Sequence, residues 1–171
     1  MKYITTKKQS RLLEEPEKVL RVPSLKYFDD DWNLLQKFLE NRGYPPYSIS
    51  GDLNLNGITI ESLGNLEYVG GSLNLYGSPI ESLGNLKRVE GYLDLYETPI
   101  ESLGNLEYVE GYLSLYKTPI ESLGNLEHVG GYLNLHEASI ETLGNFKHVG
   151  SNLDLYKVPL KTLGNLRNVE I

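Results

Sequence analysis

Close copies of the hexapeptide Glu61-Ser62-Leu63-Gly64-Asn65-Leu66 recur every twenty residues along the chain. Its first five residues return unchanged at positions 81, 101 and 121, and two later copies begin at Glu141 and Lys161. No residue is inserted or deleted between the copies. A fixed period of this length predicts a solenoid, in which each repeat buries its apolar side only against its neighbours.

The apolar residues within one repeat indicate a short strand and a bending return path. From Ile80 to Val89 they lie three residues apart, whereas Leu93 and Leu95 are two apart, which places both leucines on one face of a strand. Twenty residues leave no room for a strand and a return helix, so we expect an extended or turn-like return. The prediction is a mainly β fold, a right-handed solenoid with one parallel sheet of six short strands. The strands are centred on the Leu-x-Leu pairs that begin at Leu53, Leu73, Leu93, Leu113, Leu133 and Leu153.

Residues 93–100 follow the pattern L-x-L-x-x-T-x-I, which resembles the core of the leucine-rich repeat, L-x-x-L-x-L-x-x-N-x-L. Thr98, Thr118 and Ser78 stand where that family has an asparagine that bonds to the backbone, and a hydroxyl group can do similar work. Ala138 in the same column cannot. The resemblance therefore implies that the hydroxyl groups satisfy backbone atoms in the earlier coils.

The run 106–115 is more similar to the short, β-rich repeats of receptor L domains, since Gly70 or Glu90 stands where the leucine-rich repeat has its first leucine. Similar twenty-residue arrays occur in bacteria and large phages. The resemblance covers residues 51–171 and implies a right-handed leucine-rich-repeat-type solenoid that acts as an interaction scaffold.

Residues 1–50 lie outside the repeat and form an N-terminal segment before the solenoid of residues 51–171. Asp30 or Asp31 can cap a helix at about 31–42, which Gly43 would end. We expect this helix to cover the open end of the first coil, as terminal repeats require. A helix that binds a partner is the alternative. At the other end, we expect either that Leu163, Leu166 and Val169 fold back as a minimal cover, or that the last strand presents an unpaired edge through which the protein could associate with itself.

Charge and composition limit the classes of partner. The net charge is −7, and residues 51–171 carry sixteen Asp and Glu against seven Lys and Arg. Direct binding to nucleic acid is not expected, because it requires a cationic surface that displaces counterions. The acidic repeats suit a basic protein partner, and the alternative is that their charge only keeps the protein soluble. The chain has no cysteine and no apolar run that could span a membrane, and we expect no secretory signal, because no apolar stretch follows the first lysines. We therefore expect a cytoplasmic protein, with a mature secreted fragment as the alternative.

The strand residues that alternate with the inward leucines predict the candidate binding face. They form two aromatic columns on either side of a column of small polar groups, and neighbouring strands lie about 4.8 Å apart. Tyrosine supplies large contact area with few rotamers, as protein-recognition surfaces require. A purely structural ladder would not need the polar column. The candidate partner-binding residues are Tyr76, Tyr92, Asp94, Tyr96, Tyr112, Ser114, Tyr116, Tyr132, Asn134, His136 and Tyr156.

Catalysis finds no support among the residue patterns. The chain has three histidines and no cysteine, and its Gly-Gly pairs are not followed by the Lys-Ser/Thr of a phosphate-binding loop. We therefore predict a protein that is not an enzyme and that uses no cofactor or metal.

The leading prediction is a non-catalytic scaffold that binds a protein partner through the tyrosine-rich face. One alternative is an acidic inhibitor that occupies the basic, nucleic-acid-binding groove of a partner, using carboxylates such as the row Glu61, Glu81, Glu101, Glu121 and Glu141. Another is a structural component of a larger assembly, for example a phage particle.

Overall fold

A computed structural model describes residues 19–169. Residues 1–18 and 170–171 lie outside the described part, and the expectation of no secretory signal rests on residues in that first segment. The repeats form a β-solenoid in which each twenty-residue repeat makes one coil, and every strand pair in it is parallel. The predicted solenoid of stacked parallel coils is therefore confirmed.

The first of two sheets is the predicted one. We call it the leucine sheet, because each of its six strands begins at the first leucine of a Leu-x-Leu pair, and the equivalent leucines of successive coils are aligned. In chain order its strands are β3 (Leu53–Asn54), β5 (Leu73–Asn74), β7 (Leu93–Asp94), β9 (Leu113–Ser114), β11 (Leu133–Asn134) and β13 (Leu153–Asp154).

The prediction of one sheet is wrong, because a second sheet of eight strands lines another side of the coils. We call it the valine sheet, after the valine that points into the core from most of its strands. Most of these strands have a single buried residue, so no alternating pattern marks a strand. Its strands are β1 (Leu20–Val22), β2 (Tyr47–Ile49), β4 (Leu66–Val69), β6 (Arg88–Val89), β8 (Tyr108–Val109), β10 (His128–Val129), β12 (His148–Val149) and β14 (Asn168–Val169).

The third side of the coil, which carries the Glu-Ser-Leu-Gly-Asn sequence, is mostly irregular. Isolated parallel bridges join Ser62 to Ser82 and Ser102 to Ser122. Each Ser or Thr in this column accepts a hydrogen bond from the amide of the glycine two residues later, as at Ser122 and Gly124, 3.0 Å apart. The return path is therefore extended and turn-like, as expected.

The N-terminal helix α1 comprises Trp32–Glu40. Asp31 caps its N-terminus, since the carboxylate of Asp31 accepts hydrogen bonds from the amides of Asn33 and Leu34. Its buried side chains join the same apolar core as the coils. A short 3₁₀ helix, Leu25–Phe28, precedes it. The predicted helix at 31–42 is confirmed. Within residues 19–169 no helix is long and apolar enough to cross a membrane.

The core is a set of stacked apolar columns. In the middle coils, leucines such as Leu93 and Leu113 are fully buried. The last coil is more open, since Leu153 is only half-buried and Leu163 is 50 % exposed.

Candidate functional site

The outer aromatic column of the leucine sheet forms one continuous stack. We call it the outer ladder; it consists of Tyr76, Tyr96, Tyr116, His136 and Tyr156. Adjacent ring centroids are 4.8–5.0 Å apart, and the rings of Tyr96 and Tyr116 are nearly parallel at 11°. The parallel, in-register strands place each ring directly against the next, so the five predicted residues are brought together.

The inner ladder consists of Tyr92, Tyr112 and Tyr132. These residues directly precede the Leu-x-Leu pairs in the chain, whereas those of the outer ladder directly follow them. Tyr112 and Tyr132 stack at 5.5 Å and 15°. Tyr92 is 42 % exposed. Both ladders therefore occupy the same middle coils, and the predicted aromatic residues share one face of the molecule.

The stacking decides which part of each ring a partner can meet. A ring held between two others at 4.8–5.0 Å, such as Tyr96, has both faces covered by its neighbours. The ladder therefore presents ring edges and hydroxyl groups to solvent. Tyr76 and Tyr156, at the ends of the outer ladder, are more exposed, at 39 % and 60 %.

The polar column between the ladders has a structural task of its own. The side-chain oxygens of Asp94, Asn134 and Asp154 accept hydrogen bonds from the backbone amides two residues later, at 3.0, 2.9 and 2.8 Å. These bonds shape the turn that leaves each strand. Ser114, in the same column, is only 3 % exposed, so it contributes little to the surface of this face. The expectation that a purely structural ladder would not need a polar column is therefore wrong, and the binding hypothesis depends on the tyrosines.

A small charged cluster lies at the C-terminal end of this face. The hydroxyl of Tyr132 donates to Asp154 Oδ2 at 3.1 Å, and His136 Nδ1 is 3.6 Å from the same oxygen. Burial and the hydrogen bond to Asp154 raise the pKa of Tyr132 to about 12. The amide of Tyr156 and the hydroxyl of Tyr132 stabilise the ionised carboxylate, so the pKa of Asp154 lies below its usual value. The phenol of Tyr132 and the carboxylate of Asp154 thus form a fixed donor–acceptor pair.

Charges beside the outer ladder largely pair with one another. Lys117 is 3.5 Å from Glu97, and Lys157 is 2.6 Å from Glu137. Lys117 also lies 5.0 Å from the ring centre of Tyr116. The face therefore carries little uncompensated charge, and its chemistry is mainly aromatic and hydroxylic.

The valine sheet has a second exposed column that the sequence reasoning did not identify as a surface. Arg88 lies 5.1 Å from the ring centre of Tyr108 and forms ion pairs with Glu90 and Glu110 at 2.7 and 2.6 Å. Arg88 holds the pKa of Glu90 below its usual value, mainly through their hydrogen bond. The twenty-residue spacing of Tyr68, Arg88, Tyr108, His128 and His148 was the available signal.

The glutamate row lies on the third side of the coil. A column of asparagines at the same twenty-residue spacing lies beside it: Asn65, Asn85, Asn105, Asn125, Asn145 and Asn165. The glutamates are exposed, and Glu141 pairs with Lys161 at 2.7 Å. Asn85 donates to the side-chain oxygen of Asn65 at 2.9 Å, and Asn105 donates to the carbonyl of Gly84. The asparagines therefore tie successive coils together. Within residues 19–169 no group of three His, Cys, Asp or Glu side chains could hold a metal ion.

No protein-family model, curated protein or solved structure matches this chain.

Proposed function

We propose that the protein is a non-catalytic scaffold that binds a protein partner through the two aromatic ladders of the leucine sheet. The observation that carries the proposal is the continuous stack of five rings from Tyr76 to Tyr156, with the inner ladder beside it. Aromatic side chains dominate the energy of protein interfaces, and here their positions are fixed before binding.

The covered ring faces favour a protein over other partners. A sugar ring or a nucleobase binds aromatic residues mainly by stacking on the open ring face. Tyr96 and Tyr116 have no open face to offer, because each lies between two neighbours. Hydroxyl groups and ring edges suit the backbone and side-chain groups of a protein surface.

The ladders also contribute to the fold, which affects the choice of variants. Each aromatic contact is worth about 0.5–1.5 kcal/mol beyond its buried area. Replacing Tyr96 and Tyr116 by alanine removes three such contacts, so the variant must be studied well below its melting temperature. The variant Tyr96→Phe/Tyr116→Phe keeps the stacked rings and removes only the two hydroxyl groups.

Affinity capture from a lysate of the source organism tests the proposal. The baits are the wild type, Tyr96→Ala/Tyr116→Ala and, as a control on the third side, Glu101→Gln/Glu121→Gln. We expect one protein to be enriched by the wild type and the glutamate control and lost with the tyrosine variant. If the glutamate control loses it while the tyrosine variant retains it, the acidic inhibitor replaces this proposal.

A further inference from the structure

The turn that follows strand β3 contains the only Asn-Gly sequence in the chain, Asn56-Gly57. Asn56 lies twenty residues before Tyr76 and therefore occupies the first position of the column that continues as the outer ladder. Asn56 and Gly57 are both exposed, and a hydrogen bond from the amide of Ile58 to the carbonyl of Leu55, at 3.1 Å, closes the turn. Gly57 has a φ of 67°, a backbone conformation that favours glycine.

The backbone amide of Gly57 differs from the equivalent amides of the later coils. In the next four coils, the equivalent amide donates to the carbonyl of the ladder residue one coil further on, as Gly77 does to Tyr96 at 2.9 Å. Gly57 donates no hydrogen bond to any residue within 19–169, and a Cβ built on it would meet nothing within 4 Å. The side-chain amide of Asn56 also has no hydrogen-bond partner among these residues. The backbone nitrogen and the neighbouring side-chain amide are therefore both unbonded.

We propose that Asn56-Gly57 is a site of spontaneous deamidation, and that the unbonded amide of Gly57 makes it react faster than a hydrogen-bonded Asn-Gly sequence would. The backbone N–H of Gly57 gives its proton to solvent, and its nitrogen attacks Cγ of Asn56. The Cγ–Nδ2 bond breaks, and the nitrogen that leaves takes up a proton to form ammonia. Water then opens the succinimide ring at Cγ, which gives aspartate, or at the backbone carbonyl carbon, which gives isoaspartate. The site does not rest on the proposed function.

The fold permits ring closure at this turn because the peptide between Asn56 and Gly57 is free to rotate. A hydrogen bond from the glycine amide to the next coil, as at Gly77, would oppose that rotation. The product carries one additional negative charge beside the position of Tyr76, on a face where the other charges largely pair. Deamidation therefore marks older molecules with a carboxylate at the start of the outer ladder.

Peptide mapping by mass spectrometry of the folded wild type, incubated at mildly alkaline pH, tests the site. We expect the peptide that contains Asn56 to gain, with time, the mass difference between an amide and an acid, with aspartate and isoaspartate both formed at this position. Asn54 and Asn74 serve as internal controls, because each is followed by a leucine whose side chain hinders the attack. If Asn56 loses its amide no faster than these two residues in the folded protein, the proposal is wrong.

The variant Tyr76→Asn is a matched control, because it repeats the sequence Leu-Asn-Leu-Asn-Gly one coil later, where the amide of Gly77 is bonded to Tyr96. In the folded variant, deamidation at position 76 should be about fivefold slower than at Asn56, because one hydrogen bond must open first. In urea, the two positions should react at similar rates. Equal rates in the folded variant would overturn the proposal, since the unbonded amide of Gly57 would then have no effect.

Discussion

At the scale of single residues, Ser78, Thr98 and Thr118 occupy the same position in successive coils but differ in their hydrogen bonds. The hydroxyl groups of Thr98 and Thr118 donate to the carbonyls of Leu95 and Leu115, both at 2.8 Å. Ser78 occupies the same column and is equally buried, but its hydroxyl has no hydrogen-bond partner among the described residues. A buried hydroxyl stabilises the fold only when it is bonded.

We therefore expect opposite effects from removing these hydroxyl groups. Thr98→Val keeps the shape of the side chain and loses the hydrogen bond, so it should lower the free energy of unfolding by about 1 kcal/mol. Ser78→Ala removes an unbonded polar atom and should leave the free energy of unfolding equal or raise it. Urea unfolding of both variants measures this. A larger loss of stability in Ser78→Ala than in Thr98→Val would show that Ser78 has a partner after all.

The carboxylate of Asp154 makes the stability of the last coils depend on pH. Because its pKa is lower in the folded protein than in the unfolded chain, its ionised form stabilises the fold above the unfolded-chain pKa. This stabilisation is lost as the pH falls through the folded pKa. Asp154→Asn keeps an acceptor for the amide of Tyr156, as Asn74 and Asn134 do in their coils, and removes the titration.

Thermal unfolding of the wild type and Asp154→Asn from roughly pH 5 to roughly pH 2 measures this contribution. The wild type should lose more stability over that range than the variant. Parallel curves would mean that the carboxylate is no better stabilised in the folded state than in the unfolded chain.

At the scale of elements, the corners of the coil depend on glycines with positive φ. Gly124 (φ 58°) and Gly144 (φ 57°) have the same backbone conformation, which side chains with a Cβ rarely adopt. Their surroundings differ, because a Cβ on Gly124 would lie 2.5 Å from the carbonyl oxygen of Gly104, whereas one on Gly144 would meet nothing within 4 Å.

Alanine at these two positions separates backbone strain from close packing of coils. Gly144→Ala should lower the free energy of unfolding by about 1 kcal/mol, because alanine is strained in the left-handed conformation. Gly124→Ala should cost about 1–3 kcal/mol more, because the coils must also move apart. Guanidinium unfolding compares the two variants. Equal losses would show that the coils separate at this corner without cost.

The two sheets differ in how far they could be predicted from the sequence. The leucine sheet follows from the step of two between Leu93 and Leu95, and helix α1 from the cap at Asp31. The strands of the valine sheet are mostly two residues long with one buried valine, so their pairing comes from the stacking of coils and leaves no local signal.

At the scale of the whole molecule, the solenoid carries a different chemistry on each of its three sides. The leucine sheet presents tyrosines, the valine sheet presents Arg88, His128 and His148, and the third side presents the glutamate row. The membership of each column could be predicted from the twenty-residue period. The stacking of the rings could not, because it depends on side-chain torsions that the period does not fix. The same holds for the bonds of Asp94 and Asn134 to the backbone.

Calorimetric titration of the captured partner at two salt concentrations tests whether the leucine sheet binds a protein through its ladders. Tyr96→Ala/Tyr116→Ala should weaken binding by about 2 kcal/mol or more, roughly thirtyfold, because these rings lie at the centre of the face. Glu101→Lys, on the third side, should change mainly the salt dependence. Normal binding by the folded tyrosine variant, together with lost binding by Glu101→Lys, would show that the partner binds the acidic third side and not the ladders.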